Sequence, residues 1–277
     1  MRSVFVGVLT AGLLSSNAYA QSATWNGLSD RLQVDAGYFR LDAQTTLRYD
    51  GPGDGSGDVS LEKDLGQPGT VNTFWVDGTW RLGRRHQLKL GFTHESRDSN
   101  GHSLQRDFVW GGETYSAGLS TNSTSSGDVL GGYYRFSAYR SDRFEIGPAL
   151  GFGYLWLSAT IHATGTIDTP NGPLSQTLDK SASTGSVTGA IGGFANAWPA
   201  ERLALRADFL YIKVKPENEE ASVTDWRIAA NYYVTKTIGV GVQYKYNKYT
   251  YDRGALVSQL GGSVKYDGLQ IFASFLF

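Results

Sequence analysis

The chain has 277 residues, a net charge of -1 and no cysteine. Disulfide stapling, thiolate catalysis and cysteine-based metal sites are therefore excluded, and charge gives no argument for nucleic acid as a partner. Its 35 Gly, 16 Tyr and 7 Trp against one Met and seven Pro suit strands that pack closely and a surface that is apolar on one side and wet on the other.

Met1-Arg2, the apolar run Val4 to Leu14 and the small-x-small site Ala18-Tyr19-Ala20 predict a secretory signal peptide over residues 1–20, cleaved after Ala20. Residues 21–277 are then one β domain. After Ala20 no apolar run approaches the roughly 20 residues of a spanning helix. A mean hydropathy of -0.29 does not exclude spanning strands, whose two faces average out.

Residues 21–30 read as a polar lead-in. Leu32, Val34, Ala36 and Tyr38 then alternate, and Leu41, Ala43, Thr45 and Leu47 alternate in the opposite phase. A phase change of this kind predicts a bulge near Phe39–Arg40. Asp50 to about Thr70 is rich in turn residues and reads as a long loop. The next strand sets Phe74, Val76, Trp80 and Leu82 against Thr73, Asp77, Thr79 and Arg81. Gly83-Arg84-Arg85 is a tight turn. It leads to Leu88, Leu90 and Phe92 against Gln87, Lys89, Thr93 and Glu95.

Residues 97–127 read as a long polar stretch with strand character at 103–110 and 114–119. Leu130, Tyr134, Phe136 and Ala138 oppose Tyr133, Arg135 and Ser137, and Arg140 to Arg143 turns the chain. Phe144, Ile146, Leu150, Phe152, Tyr154 and Trp156 oppose Glu145, Gly147, Gly151 and Gly153. Residues 163–183 read as a further long loop, and Ser186 to Asn196 as a glycine-rich strand whose facing the pattern leaves open. After the turn at Trp198 to Glu201, Leu203, Leu205, Ala207, Phe209 and Tyr211 oppose Ala204, Arg206 and Asp208. An acidic loop, Pro216 to Glu220, precedes Trp226, Ile228, Ala230, Tyr232 and Val234 against Arg227, Asn231 and Tyr233. Past Thr235 to Thr237, Ile238, Val240, Val242, Tyr244 and Tyr246 oppose Gly239, Gly241, Gln243, Lys245 and Asn247.

The final stretch sets Leu269, Ile271, Ala273, Phe275 and Phe277 on one face, against Gln270, Phe272, Ser274 and Leu276. Asp267-Gly268 is a hairpin dipeptide. Because Val264 and Tyr266 precede Leu269 and Ile271 out of phase, it reads instead as a bulge in one continuous strand.

Strands joined alternately by tight turns and long loops, with a terminal amphipathic strand ending on Phe277, resemble Gram-negative outer-membrane β-barrel proteins. The resemblance covers the leader and the rest of the chain, and no subfamily stands out. It implies an all-β, antiparallel, up-and-down transmembrane barrel of about ten strands, with eight or twelve as alternatives. The tight turns would be periplasmic and the long loops extracellular. It further implies that Phe275 and Phe277 belong to a signal read by the barrel-assembly machinery. The implied partners are outer-membrane lipid, lipopolysaccharide and small solutes.

Charged residues on inward faces are the candidates for function. Asp77 and Lys89 lie diagonally across one tight turn, and Arg135 and Glu145 across the next. Arg206 and Asp208 share a strand, and Arg227 and Lys245 come from the following two. Such a set forms either a structural ion-pair network or the constriction of a small pore. His86, His94, His102 and His162 assemble no catalytic set by spacing, and His94 and Glu95, being adjacent, point to opposite faces. The chain does not resemble the omptin proteases at their paired acidic motifs. No metal or cofactor is expected, and no enzyme. A non-enzymatic pore or envelope-structural barrel leads, ahead of a surface-loop binding protein and an outer-leaflet lipid-modifying hydrolase.

Overall fold

Alternation with period 2 commits almost every stretch between turns to extended backbone, and the computed structural model consists of strands. It describes residues 31–49, 57–169, 172–214, 219–253 and 260–277. The expected signal peptide, the lead-in, and parts of the loops at 50–56, 170–171, 215–218 and 254–259 lie outside the described residues.

In chain order the strands are β1 (Leu32–Tyr49), β2 (Asp58–Ser60), β3 (Thr70–Arg81), β4 (His86–Ser103), β5 (Phe108–Trp110), β6 (Glu113–Tyr115) and β7 (Ser120–Phe136). They continue with β8 (Tyr139–Arg140), β9 (Phe144–Thr169), β10 (Gly172–Ala200), β11 (Leu203–Val214), β12 (Glu219–Tyr233), β13 (Ile238–Arg253) and β14 (Leu260–Leu276). Ten of them form a ring in the order β1, β3, β4, β7, β9, β10, β11, β12, β13, β14, and the last pairs back onto the first. Every pairing is antiparallel. The seam runs the length of β1 and β14, and at one end Phe277 donates its N–H to Leu32 O at 2.8 Å and accepts from Arg31 and Leu32. A closed ring leaves no edge strand to be covered.

The expected faces recur. Phe74, Trp80, Leu90, Phe92, Leu150, Phe209, Ile228, Val240, Ile271 and Phe277 are exposed on the outer wall. Asp77, Lys89, Arg135, Glu145, Asp208 and Arg227 are buried inside. The glycine-rich strand resolves as well, with Val187 and Ile191 facing out while Ala190, Phe194 and Asn196 face in.

Neither expected bulge is present. β1 holds one register against β14 from Gln33↔Leu276 to Tyr49↔Leu260, and β14 holds one against β13 from Ile238↔Phe275 to Tyr251↔Gly262. The phase of the apolar residues changes because the barrel interior changes. Near the tight-turn end the inward face is polar and the outer wall apolar. Further along, Leu41, Ala43 and Leu47 of β1 and Val264 and Tyr266 of β14 continue the inward face, where they are buried. Asp267-Gly268 makes no hairpin, since both residues sit within the β13–β14 ladder.

The expected long loops at 97–127 and 163–183 are largely strand. β9 and β10 stay paired from Ala197↔Phe144 to Gly172↔Thr169. Serine and threonine make these stretches read as loop, yet threonine is at home in strands and hydroxyls bond across them. Thr160 and Ser181 bond at 2.9 Å, and Ser126 and Ser158 at 2.8 Å. Within 104–119 only the small β5–β6 hairpin forms.

Candidate functional site

Every second residue of ten strands points into the ring, so the lumen is where sequence-distant charges meet. Asp77 of β3 accepts from Arg227 of β12 at 2.7 Å and lies 3.1 Å from Lys89 Nζ of β4. Arg227 Nε reaches Asp208 of β11 at 3.1 Å, and Asp208 also binds Arg135 of β7. Arg206 of β11 binds Asp35 of β1 at 2.8 Å. Strands β3 and β12 are four steps apart in a ring of ten, as are β11 and β1. Their ion pairs therefore cross the lumen instead of running along its wall.

Neutral groups complete the set. Tyr133 and Asn247 both donate to Asp225 Oδ2 at 2.6 Å. Arg206 donates to Asn231 Oδ1 at 2.9 Å, and Ser274 to Asp35 at 2.6 Å. The Arg227 guanidinium lies over the Tyr133 ring at 4.9 Å. Buried charges persist where each is paired and hydrogen-bonded, and this arrangement meets that condition at most of its members.

Of the eight predicted lumen residues, Asp77, Lys89, Asp208, Arg227 and Arg135 share one cluster. Arg206 joins a neighbouring one through Asp35. Arg135 and Glu145 do not pair across their turn. Glu145 is bound by Arg81 through two contacts of 2.9 and 3.0 Å, with Asn196 donating at 3.3 Å. Lys245 stands opposite Arg227 in register and makes no ion pair among the described residues. Asp35, Arg81 and Asp225 also carry buried polar contacts and were not among the eight candidates, although Arg81 was read on the same face as Asp77. All three lie on the inward face of their strands, and that signal was available. Beside the network, at the tight-turn end, Gln33, Thr79, Gln87 and Asn196 line a small cavity of about 30 Å³.

Toward the long-hairpin end the interior becomes apolar. Leu47, Val59, Leu61, Leu65, Leu104, Phe108, Trp110, Tyr115, Leu119 and Ile161 form one buried cluster. The segment around β2 and the β5–β6 hairpin thus fold down over the lumen and close it with hydrocarbon. Polar struts hold this cap. Arg97 of β4 donates to Glu62 at 2.6 Å and to Thr45 at 2.7 Å. Gln67 bonds Ser123 at 3.1 Å and Ser125 at 2.7 Å. Arg106 binds Asp64 through two contacts of 2.8 and 2.6 Å. Burial alone would raise the Asp64 carboxyl; the hydrogen bonds from Arg106 and from Ser60 N–H outweigh it and hold it below the usual carboxylate range.

The histidines do not converge. His86 bonds Tyr134 at 2.6 Å, and His94 bonds Asp128 at 2.6 Å, both on the outer wall. His162 lies 3.8 Å from Asp179 on the tall β9–β10 hairpin. His102 sits where β4 ends, its Nε2 buried without a partner. Among the described residues no group of three His, Asp or Glu side chains is placed to hold a metal.

No family model matches the chain. No curated protein matches it either. Among solved structures the chain is similar to the outer membrane protease OmpT of Escherichia coli, with a TM-score of 0.62 at 11% identity over 93% of this chain and 99% of that one. Weaker likenesses are the translocator domain of the autotransporter NalP of Neisseria meningitidis (TM-score 0.37, 12% identity, 89% of this chain and 88% of that one) and the toluene transporter TodX of Pseudomonas putida (0.35, 8%, 90% of each). At 11% identity the first likeness establishes the fold alone: an antiparallel barrel of the outer-membrane type.

Proposed function

We propose that the chain is an integral outer-membrane barrel with a closed lumen, which acts at its outer surface in envelope structure or surface binding instead of conducting solutes. Its tight turns face the periplasm and its long hairpins the exterior, as in barrels of this type. The observation that carries the reading is the doubly filled interior. Ion pairs cross the lumen between strands four apart, and an apolar cap lies above them. A conducting pore of ten strands needs a continuous wet path, and its charged ring has to stay hydrated for ions to pass. Here Lys89, Arg135 and Arg227 are each buried among partners.

The surrounding lipid and lipopolysaccharide are the partners this reading supplies. Recognition of Phe275 and Phe277, both exposed on the outer wall, by the assembly machinery is part of the same proposal. Conductance of the refolded protein in planar bilayers tests it, beside a variant with Arg135→Ala and Lys89→Ala. Both remain silent, the variant because its apolar cap is intact. Steady openings of the unsubstituted protein would overturn the reading in favour of a small charged pore.

A further inference from the structure

The outer wall of β4, β7 and β9 reads as rows of residues in register. One row is Phe92, Leu130 and Tyr154, the next His94, Asp128 and Trp156, and the next Ser96, Ser126 and Ser158. The wall is apolar up to and including the first of these rows and rich in hydroxyls beyond the second. Four rows separate His94 from His86 at the tight-turn end. At about 3.3 Å per residue along tilted strands that is about 20 Å of height, close to the roughly 25 Å apolar band of such barrels. The His94 row, with Trp156 in it and exposed Phe74 beside it on β3, therefore lies at the outer edge of the membrane. That is the depth at which lipid acyl chains join their headgroups.

His94 Nδ1 and Asp128 Oδ1 are 2.6 Å apart. A carboxylate on Nδ1 selects the tautomer protonated there and leaves Nε2 as a base. Ser96 lies two residues along β4 on the same exposed face, about 6.6 Å away between Cα atoms. Strand side chains lean along the strand, so a serine hydroxyl and an imidazole at that separation come within hydrogen-bond reach by rotamer change. Such contacts are commonly long before substrate binds. Ser126 stands directly opposite Ser96 and is itself hydrogen-bonded to Ser158 at 2.8 Å, placing a further hydroxyl donor beside the nucleophile. Base, orienting carboxylate, serine and donor sit directly above an apolar wall on which an acyl chain lies.

We propose that His94, Asp128 and Ser96 form a serine-hydrolase site on the outer wall, which cleaves ester-linked acyl chains from outer-leaflet lipids. It rests on the outer-surface reading above and departs from the expectation that the protein is no enzyme. Ser96 Oγ attacks the ester carbonyl carbon while His94 Nε2 takes the hydroxyl proton. Ser126 donates to the carbonyl oxygen as it becomes negative. The bond from that carbon to the alcohol oxygen breaks, and His94 returns the proton to the leaving oxygen. Water then attacks the acyl-serine ester, again giving a proton to His94. Release of the fatty acid returns that proton to Ser96. Asp128 is a positioning residue that holds the imidazole.

The test uses the refolded full barrel in detergent mixed micelles. One arm carries diacyl phosphatidylethanolamine, a second lipid A, and a third the ether-linked phospholipid, with fatty acid release read by mass spectrometry. Release is expected from an ester lipid and not from the ether lipid, and the first two arms identify which lipid is the substrate. His94→Ala and Ser96→Ala lose at least about a hundredfold in kcat. Asp128→Asn lowers kcat by a comparable factor with KM unchanged, whereas Ser181→Ala, two rows higher on the same hydroxyl face, keeps full rate. Independently of any variant, a fluorophosphonate probe forms its adduct on Ser96. Absence of release from both ester lipids, release unchanged by Ser96→Ala, or an adduct elsewhere would each overturn the proposal. Conductance tests the closed lumen and hydrolysis tests this site, so the two readings fail separately.

Discussion

The two halves of the lumen are built from the same ten strands and the same inward alternation, yet they are filled by opposite chemistry. Toward the tight turns, Asp77, Lys89, Arg135, Asp208 and Arg227 fill the barrel with paired charge. Toward the long hairpins, Trp110, Tyr115, Leu61 and Leu65 fill it with hydrocarbon carried by connecting segments. The first half holds because each of these charges has an ion-pair partner, Asp77 and Asp208 finding theirs across the ring in Arg227 and Arg135. The second holds because apolar surface leaves water, at about 25 cal/mol per Å². A barrel wall therefore does not dictate the polarity of its interior, and losing one side chain should damage the two halves differently.

The largest effect is expected at Arg227. Replacing it by Ala breaks two buried ion pairs at once, leaving Asp77 with Lys89 alone and Asp208 with Arg135 alone, and should cost about 3–5 kcal/mol. This is measurable as an earlier urea midpoint for the whole barrel. In the apolar half, Trp110→Ala removes a fully buried side chain and should cost about 3–5 kcal/mol. That loss is confined to the cap: proteolysis and hydrogen exchange of residues 104–119 should rise while the barrel midpoint moves little. Equal movement of the global midpoint in both variants would end the distinction between the halves.

A smaller effect follows from Asp64. Its carboxyl is held below the ordinary value, so its contribution to holding the cap is complete above about pH 4 and is lost as pH falls through the depressed folded value. Arg106 is half exposed, so the effect is about 1 kcal/mol or less. Cleavage of residues 61–69 by an acid-active protease should rise at low pH in the natural protein. In Arg106→Gln it should be raised already near neutrality, with less further dependence on pH. Smallest of all is Thr160→Ala on the outer face of the tall hairpin. It removes one exposed cross-strand bond and should shift the midpoint by a few tenths of a kcal/mol at most.

Period-2 alternation and turn-forming residues are local properties. For that reason the apolar-walled parts of the ten strands, their tight turns and the outer band down to Phe277 were legible without a structure, whereas the hydroxyl-rich extensions of β4, β7, β9 and β10 read as loop. The candidates Asp77, Lys89, Arg135, Glu145, Arg206, Asp208, Arg227 and Lys245 were legible as inward residues for the same reason. Three features were not local. The phase changes in β1 and β14 look like bulges until the interior is known to turn apolar. The partner of each charge depends on ring closure, which brings Arg227 to Asp77 across 150 residues and sends Glu145 to Arg81 instead of Arg135. His94 reads alone as a histidine beside a glutamate on the opposite face. Only strand pairing sets Asp128 against it and aligns Ser96 with Ser126, because register across the sheet, and not neighbourhood in the chain, decides which side chains meet.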